Sequence, residues 1–363
     1  MTPFLKDPLE EWAMYCRDRQ AAISLDSSGA PSPFWDEGWK EVSHIPSNDE
    51  ADAEDRLKEE LARAYGVDGD MIALAQGAQH ADYLFFITQL HPEDMAAVED
   101  PTFMPIRRQA ESVCRVMTID RSPAASYLPQ EEQLDSLLAR GAKVLALTNL
   151  HNPSGAALGD DRMAGIAELA ARKGALVLSD EVYREMTYGP VPRGAYQLGE
   201  NTVSVSSVTK LNGLRGLRIG WLIGPSDIVK QVEAARIYTS YRLPAITCSY
   251  AAEAVRRREW FRERVLRTAG ENLPALMGWL EREDRIACRI PDGALMAHLR
   301  LPSGVDDLEF SEKLLDRRVA VGPGRYWGAP GTIRITFSCP RQPLEEGLEA
   351  ITALLDLMNV LRR

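Results

Sequence analysis

The middle of the chain alternates short apolar runs of strand length with longer segments in which apolar residues recur every three or four positions. That alternation is the pattern of βαβ units on a mostly parallel sheet, so the fold class reads as α/β. "DRLKEELARAYG" predicts a helix closed by Gly66, "MIALAQGA" a strand and turn, "AAVED" and "KVLALTNL" strands, and "RMAGIAELAARKG" a helix ended by Gly174. "ALVLSDEVY" and "TVSVSSVT" follow as strands, and then "RGLRIGWLIGP". From about Leu243 the pattern changes to two long Arg- and Glu-rich helical stretches. The strand-like "IACRI", "ALMAHLRL", "VAVGPG" and "TIRITFS" come next, before a closing amphipathic helix. The reading is a large domain over 45–242, its central sheet flanked by helices, and a smaller α+β domain over 243–363. Residues 1–44, punctuated by "SSGAPSPF", read as an extended arm that crosses between the lobes and joins the smaller one.

A length of 363 residues suits one large and one smaller lobe with a cleft between them. The formal charge of −11 argues against a phosphate-backbone binder, which needs a basic stripe, so no nucleic-acid partner is expected. The longest apolar runs, such as "VLAL" and "ALVL", fall far below the roughly 20 residues of a membrane span. Met1 to Leu25 is charged and mixed, unlike a secretory signal, and a cytoplasmic location is expected. Five cysteines, an odd number with no C-x-x-C pair and no histidine spacing suited to zinc, read as buried thiols and not as a metal site.

Candidate chemistry gathers at three strand ends. Lys210 follows "TVSVSSVT", with the hydroxyls of Ser207 and Thr209 before it and Arg215 and Arg218 after it, in a turn loosened by Gly213 and Gly216. Hydroxyl donors, a guanidinium fork and backbone that permits close approach make a phosphate site, and a lysine amine beside a phosphate points to a Schiff base with an aldehyde cofactor. Taken alone, Lys210 reads as a solvated loop residue, and it is its neighbours that shift the balance. A pyridine cofactor needs an acid at its ring nitrogen, and Asp180 ends the strongly apolar "LVLSD" with Tyr183 three residues on. A helix N-cap is the plainer account of Asp180. The third strand ends in "TNLHNPSG", where Asn152 precedes Pro153 and Gly155, a combination that by itself is ordinary turn chemistry.

As an ordered set, these motifs resemble the fold type I pyridoxal 5'-phosphate enzymes of the class I/II aminotransferase family, over almost the whole chain. The resemblance implies that Lys210 of "SVTK" carries the cofactor as an internal aldimine and that Arg218 of "GLRIG" holds its phosphate, with Ser207 and Thr209. It places Asp180 at the pyridine nitrogen, Tyr183 and Asn152 at the ring oxygen, and Phe103 of "EDPTFMPI" on the ring face. Ala78 and Gln79 of "AQGAQHA" would present backbone N–H groups to the phosphate at a helix N-terminus. Arg334 of "GTIRITFS" would grip the substrate α-carboxylate, with Gly29 of "SSGAP" closing over it and Asn152 beside it.

The activity so implied is transamination between an α-amino acid and a 2-oxo acid, with Lys210 as general base, in a homodimer. The same carbanion chemistry serves the alternative, a C–S β-eliminating lyase or an amino-acid cyclase of specialised metabolism. The sequence departs from many family members at "HIPSNDEADAEDRL", which lacks the tyrosine they donate across the dimer to the phosphate. Arg236, Tyr238, Tyr241 and Arg242 stand where substrate-facing or dimer-facing residues are common, although a helix-surface position is the commoner case for such arginines, and Tyr326 and Trp327 are expected near the mouth.

Overall fold

The computed structural model describes residues 8–26, 28–32 and 50–358. Helix α1 (Pro8–Asp18) leads into strand β1 (Ile23–Ser24). Helix α2 (Glu50–Tyr65) ends at Gly66, whose φ of 65° lets the chain turn back without a Cβ clash. There follow β2 (Ile72–Ala75), α3 (Ala78–Gln89), β3 (Met95–Asp100), α4 (Met104–Val113), β4 (Arg115–Asp120), α5 (Glu131–Ala139) and β5 (Ala142–Thr148). Then come α6 (Asp160–Arg172), β6 (Leu176–Asp180), β7 (Thr202–Ser207) and β8 (Gly220–Ile223). Helix α6 opens on Asp160 and Asp161 and closes on Arg172, charges that suit its dipole at both ends.

Strands β2 to β8 make one seven-stranded sheet in the order β2-β8-β7-β6-β5-β3-β4, parallel except where β8 pairs antiparallel with β2 and β7. Thr148 lies opposite Asp180, and Asp180 opposite Val205, so β5, β6 and β7 end along one edge. Because β8 runs against both β2 and β7, β2 also ends at that edge, and α3 begins there.

Helices α7 (Ser226–Ser240), α8 (Ala245–Arg256) and α9 (Arg258–Arg282) lead to a four-stranded antiparallel sheet. It runs β12-β13-β10-β9, with β9 Ala287–Cys288, β10 Met296–Arg300, β12 Gly322–Pro323 and β13 Thr332–Thr336. Helix α10 (Asp307–Asp316) and the short β11 (Val319–Ala320) lie between, and α11 (Arg341–Leu357) closes the described chain against α9. Fully buried Leu57, Leu61, Cys248, Phe261, Leu276, Leu299 and Ile335 belong to one continuous core shared by helices and small sheet.

Two differences from the periodicity reading stand out. Strand β4 was not singled out because "RVMTID" is a half-exposed edge strand with no sustained apolar run. The stretch read as an extended arm contains α1, whose Trp12 and Cys16 are buried one turn apart; Trp12 Nε1 donates to the Val321 carbonyl at 2.7 Å. The segment after it adds β1 to β11 in parallel and passes its carbonyl at Leu25 to the Thr336 N–H at 2.7 Å. Among the described residues no helix is long and apolar enough to cross a membrane, and no group of acidic, histidine or cysteine side chains could hold a metal ion. All five cysteines are free, and burial raises each thiol above its usual range.

Candidate active site

The sheet edge where β5, β6 and β7 end opens into a cavity of about 590 Å³. Gly29, Ala78, Gln79, Phe103, Asn152, Asp180, Tyr183, Ser207, Thr209, Lys210, Arg218 and Arg334 all line it. Side chains from four strand ends, the start of α3 and the small sheet thus meet in one space.

Lys210 sits in the loop after β7 and donates from Nζ to Ser28 Oγ at 3.0 Å. Its ammonium lies 5.5 Å from the centre of the Tyr183 ring. The loop is tied to the N-terminal segment: Ala30 N–H donates to the Lys210 carbonyl at 2.9 Å, and a Cβ on Gly213 would meet the Pro31 carbonyl oxygen at 2.6 Å. Glycine is required there both by that contact and by its φ of 67°.

Asp180 is buried at the end of β6, and its Oδ1 accepts from the Val182 N–H at 3.1 Å. Burial pushes its carboxyl up to about 7, against the lowering effect of that N–H and of the Lys210 charge. A buried acid of this kind calls for a cationic or proton-bearing partner. Tyr183 Oη is buried as well and has no hydrogen-bond partner among the described residues.

Arg334 projects from the middle of β13, fully desolvated, with its guanidinium carbon 4.2 Å from the centre of the Trp327 ring. Nη1 donates to Asn152 Oδ1 at 3.1 Å and Nη2 to the Asp26 carbonyl at 2.9 Å. Those two bonds and the ring fix the fork while Nε stays unpartnered among the described residues. Asn152 is held in turn by its own N–H, which donates to Thr148 Oγ1 at 3.1 Å.

The anion cradle is built from backbone. Gly77, at φ 83°, precedes α3, and a Cβ there would stand 2.8 Å from Arg218 Nη2. A Cβ on Gly220 would stand 2.5 Å from the Gly77 carbonyl carbon, so two glycines let β8 and the start of α3 close on each other. Arg218, itself left-handed at φ 52°, thus lays its guanidinium beside Gly77, the residue before α3, where a helix N-terminus and a cation together suit a phosphate. With the buried Asp180, the unpartnered Tyr183 phenol and a lysine amine in the same cavity, the residues fit pyridoxal 5'-phosphate.

Several lining residues were not singled out by sequence: Trp12 and Leu9 of α1, Asp26, Ser28, Thr148 and Val182. Their signal is weak because each is an ordinary element residue until the fold brings it to the edge. Trp327 lines the cavity, but Tyr326 does not and packs on Trp12 with ring centres 6.3 Å apart. Arg236 is a correction: it makes a buried two-pronged pair with Glu54, at 3.0 and 3.1 Å, and so does not face substrate. Of the stretch 44–57, read as lacking a cross-dimer tyrosine, residues 44–49 lie outside the described residues and residues 50–57 form the start of α2.

A family profile described as aminotransferase class I and II matches residues 50–351. A capreomycidine synthase of Streptomyces vinaceus is 28% identical over 95% of this chain and 92% of its own length. An aspartate aminotransferase of Streptomyces avermitilis is 27% identical, covering 80% of this chain and 76% of its own. An arginine–pyruvate transaminase of Pseudomonas aeruginosa is 26% identical, covering 82% and 78%. In fold, the chain is similar to a PLP-dependent aminotransferase from Streptococcus suis, at a TM-score of 0.87, 22% identity and coverage of 98% and 99%. It is similar also to aspartate aminotransferase from Thermus thermophilus, at a TM-score of 0.85, 21% identity and coverage of 98% and 97%.

Proposed function

The chain belongs to the class I and II aminotransferase family, pyridoxal 5'-phosphate enzymes of fold type I, and we propose that it moves the amino group of an α-amino acid to a 2-oxo acid with Lys210 as its central base. The observation that carries this reading is the convergence of Lys210, Asp180 and Arg334 on one cavity. When bound, pyridoxal 5'-phosphate supplies an aldehyde for amine exchange and a ring that takes up the electron pair left at the substrate Cα. Arg218 and the first N–H groups of α3 hold its phosphate, with Ser207 and Thr209 beside them. Asp180 keeps a proton at the ring nitrogen, Tyr183 and Asn152 address the ring oxygen, and Phe103 covers the ring face. Arg334 grips the substrate carboxylate and so turns the α C–H toward Lys210, whose Nζ would take the proton from Cα and deliver it to the carbon that was the cofactor's aldehyde. Gly29, whose backbone lies against the Lys210 loop, would close over that carboxylate. Five free thiols support a cytoplasmic setting.

A second reading, an amino-acid cyclase or C–S lyase using the same proton removal, is favoured by one observation. The relative matched over 95% of this chain is named a synthase and not an aminotransferase. One experiment separates them: purified enzyme is given a panel of amino acids, and oxo acid, ammonia and ring-closed product are measured together. Stoichiometric oxo acid without ammonia is the expected result; ammonia or a ring-closed product in its place overturns transamination in favour of the second reading.

A further inference from the structure

Asp82 lies in the second turn of α3, the helix whose first residues line the cavity, but does not line the cavity itself. Its side chain is fully buried between Ala81 and Leu84 in an apolar helix, and neither carboxylate oxygen has a hydrogen-bond partner among the described residues. A leucine would fill such a place more stably, because a buried carboxyl without a partner costs stability. The charged group whose field acts on it is Asp180, at the end of β6; Leu178, which shares Asp180's face of that strand, packs in one buried cluster with Ala81 and Leu84 of α3. The charged side chains of the flanking helices turn elsewhere: on α4, Arg107 to Glu111; on α7, Glu233 to Lys58 and Arg236 to Glu54. The charges that act on Asp180 are those of Lys210, which lowers its carboxyl, and of Glu99 and Glu181, which raise it; Glu99 is paired with Arg121, and Glu181 with Arg184.

We propose that Asp82 and Asp180 hold one proton between them, with Asp82 donating it as a hydrogen bond to the Asp180 carboxylate, so that Asp82 is a positioning residue for the acid at the cofactor's ring nitrogen. The direction of the bond follows from the surroundings. Asp180 already has the Val182 N–H and the Lys210 ammonium to support a negative charge, whereas Asp82 has neither. Burial, and then the Asp180 charge, hold the Asp82 carboxyl well above the usual carboxylate range. Donation to Asp180 makes that carboxylate a poorer proton acceptor, so the proton shared with the cofactor stays on the ring nitrogen, where it assists withdrawal of electrons from the substrate.

The inference rests on the assignment of Asp180 to the ring nitrogen, and the test separates the two. Holoenzyme is loaded with cofactor isotopically labelled at the ring nitrogen, and its NMR shift reports protonation in wild type, Asp82→Asn, Asp82→Leu and Asp180→Asn. Asp82→Asn keeps an N–H donor and is expected to keep the ring nitrogen protonated. Asp82→Leu removes the donor and is expected to shift the nitrogen toward the unprotonated form, with kcat lower by about tenfold and KM for the amino acid little changed. Infrared difference spectra of wild type against Asp82→Asn are expected to show a protonated-carboxyl band that the variant lacks. A ring nitrogen unchanged in Asp82→Leu but shifted in Asp180→Asn overturns this inference alone; one unchanged in both overturns the Asp180 assignment and this inference with it. If Asp82→Leu fails to fold, the infrared comparison decides, and absence of the band overturns the proposal.

Discussion

Arg334 makes the sharpest single-residue claim. Its fork is fixed by Asn152, the Asp26 carbonyl and the Trp327 ring, so the order needed to bind a carboxylate is present beforehand. Truncating a desolvated partner of a charge costs about 2 to 5 kcal/mol, so Arg334→Ala is expected to lower kcat/KM for amino acids by roughly 30-fold or more. Cofactor absorbance should be unchanged, and Arg334→Lys should recover only part of the loss, since a point charge cannot copy the fork. Equal turnover of amines lacking the carboxylate would contradict the assignment. Asp180 carries a prediction about pH. Its carboxyl is raised in the fold from 3.8 to about 7, so in cofactor-free protein the unfolded state ionises first as pH rises. Stability from this group is therefore full below about pH 4 and is lost between about pH 4 and 7. The loss amounts to at most about 4 kcal/mol, with part of it shared with Asp82. Asp180→Asn should flatten that slope in urea titrations of cofactor-free protein, leaving it more stable than wild type at pH 8 and similar at low pH.

At the scale of elements, the site depends on where strands stop. "KVLALTNL", "ALVLSDEVY" and "TVSVSSVT" were legible as strands because each is an apolar run with a polar end, and those polar ends are the residues that meet in the cavity. The junction of β2, β8 and α3 offers a clean comparison of two glycines. Gly66 and Gly77 both have positive φ, but a Cβ on Gly66 would meet nothing within 4 Å, whereas one on Gly77 would press on Arg218. Gly66→Ala is expected to cost about 1 to 2 kcal/mol in unfolding free energy and to leave cofactor affinity alone. Gly77→Ala should cost about 1 to 3 kcal/mol from backbone strain and weaken pyridoxal 5'-phosphate binding at least tenfold in a fluorescence titration. Equal cofactor affinities in the two variants would count against the cradle. Helix α1 was not legible at this scale, because its few apolar positions acquire meaning only through the Val321 carbonyl and the Tyr326 ring that receive Trp12.

For the molecule as a whole, the junction of α7 and α8 exposes Ile237 at 52%, Tyr238 at 91%, Tyr241 at 70% and Ile246 at 53%. Four large apolar side chains within ten residues make a patch that water solvates poorly, and we propose that a second copy of the chain covers it. Sedimentation at micromolar concentration is expected to show a homodimer. The double variant Ile237→Glu, Tyr238→Glu should run as a monomer with impaired turnover. A wild type that is active as a monomer would remove the basis for this interface.

The sequence by itself determined the α/β class, the strands that end at the site, and the residue types placed there, because all three are written in local order: periodicity, a polar residue closing an apolar run, and glycines spaced around a lysine and an arginine. Tertiary structure alone decided the rest. Arg236 reads as a helix-surface or substrate-facing cation until Glu54, 182 residues away, proves to be its partner. Lys210 and Ser28, equally distant in the chain, meet only because the N-terminal segment lies on the Lys210 loop. Nothing in the local sequence marks Asp82 as a buried acid; that follows only from the packing of α3 on β6, which leaves its carboxyl with no hydrogen-bond partner among the described residues. In each case the decisive quantity is burial together with a partner, or the lack of one, and both are set by how elements pack, which no local pattern of residues records.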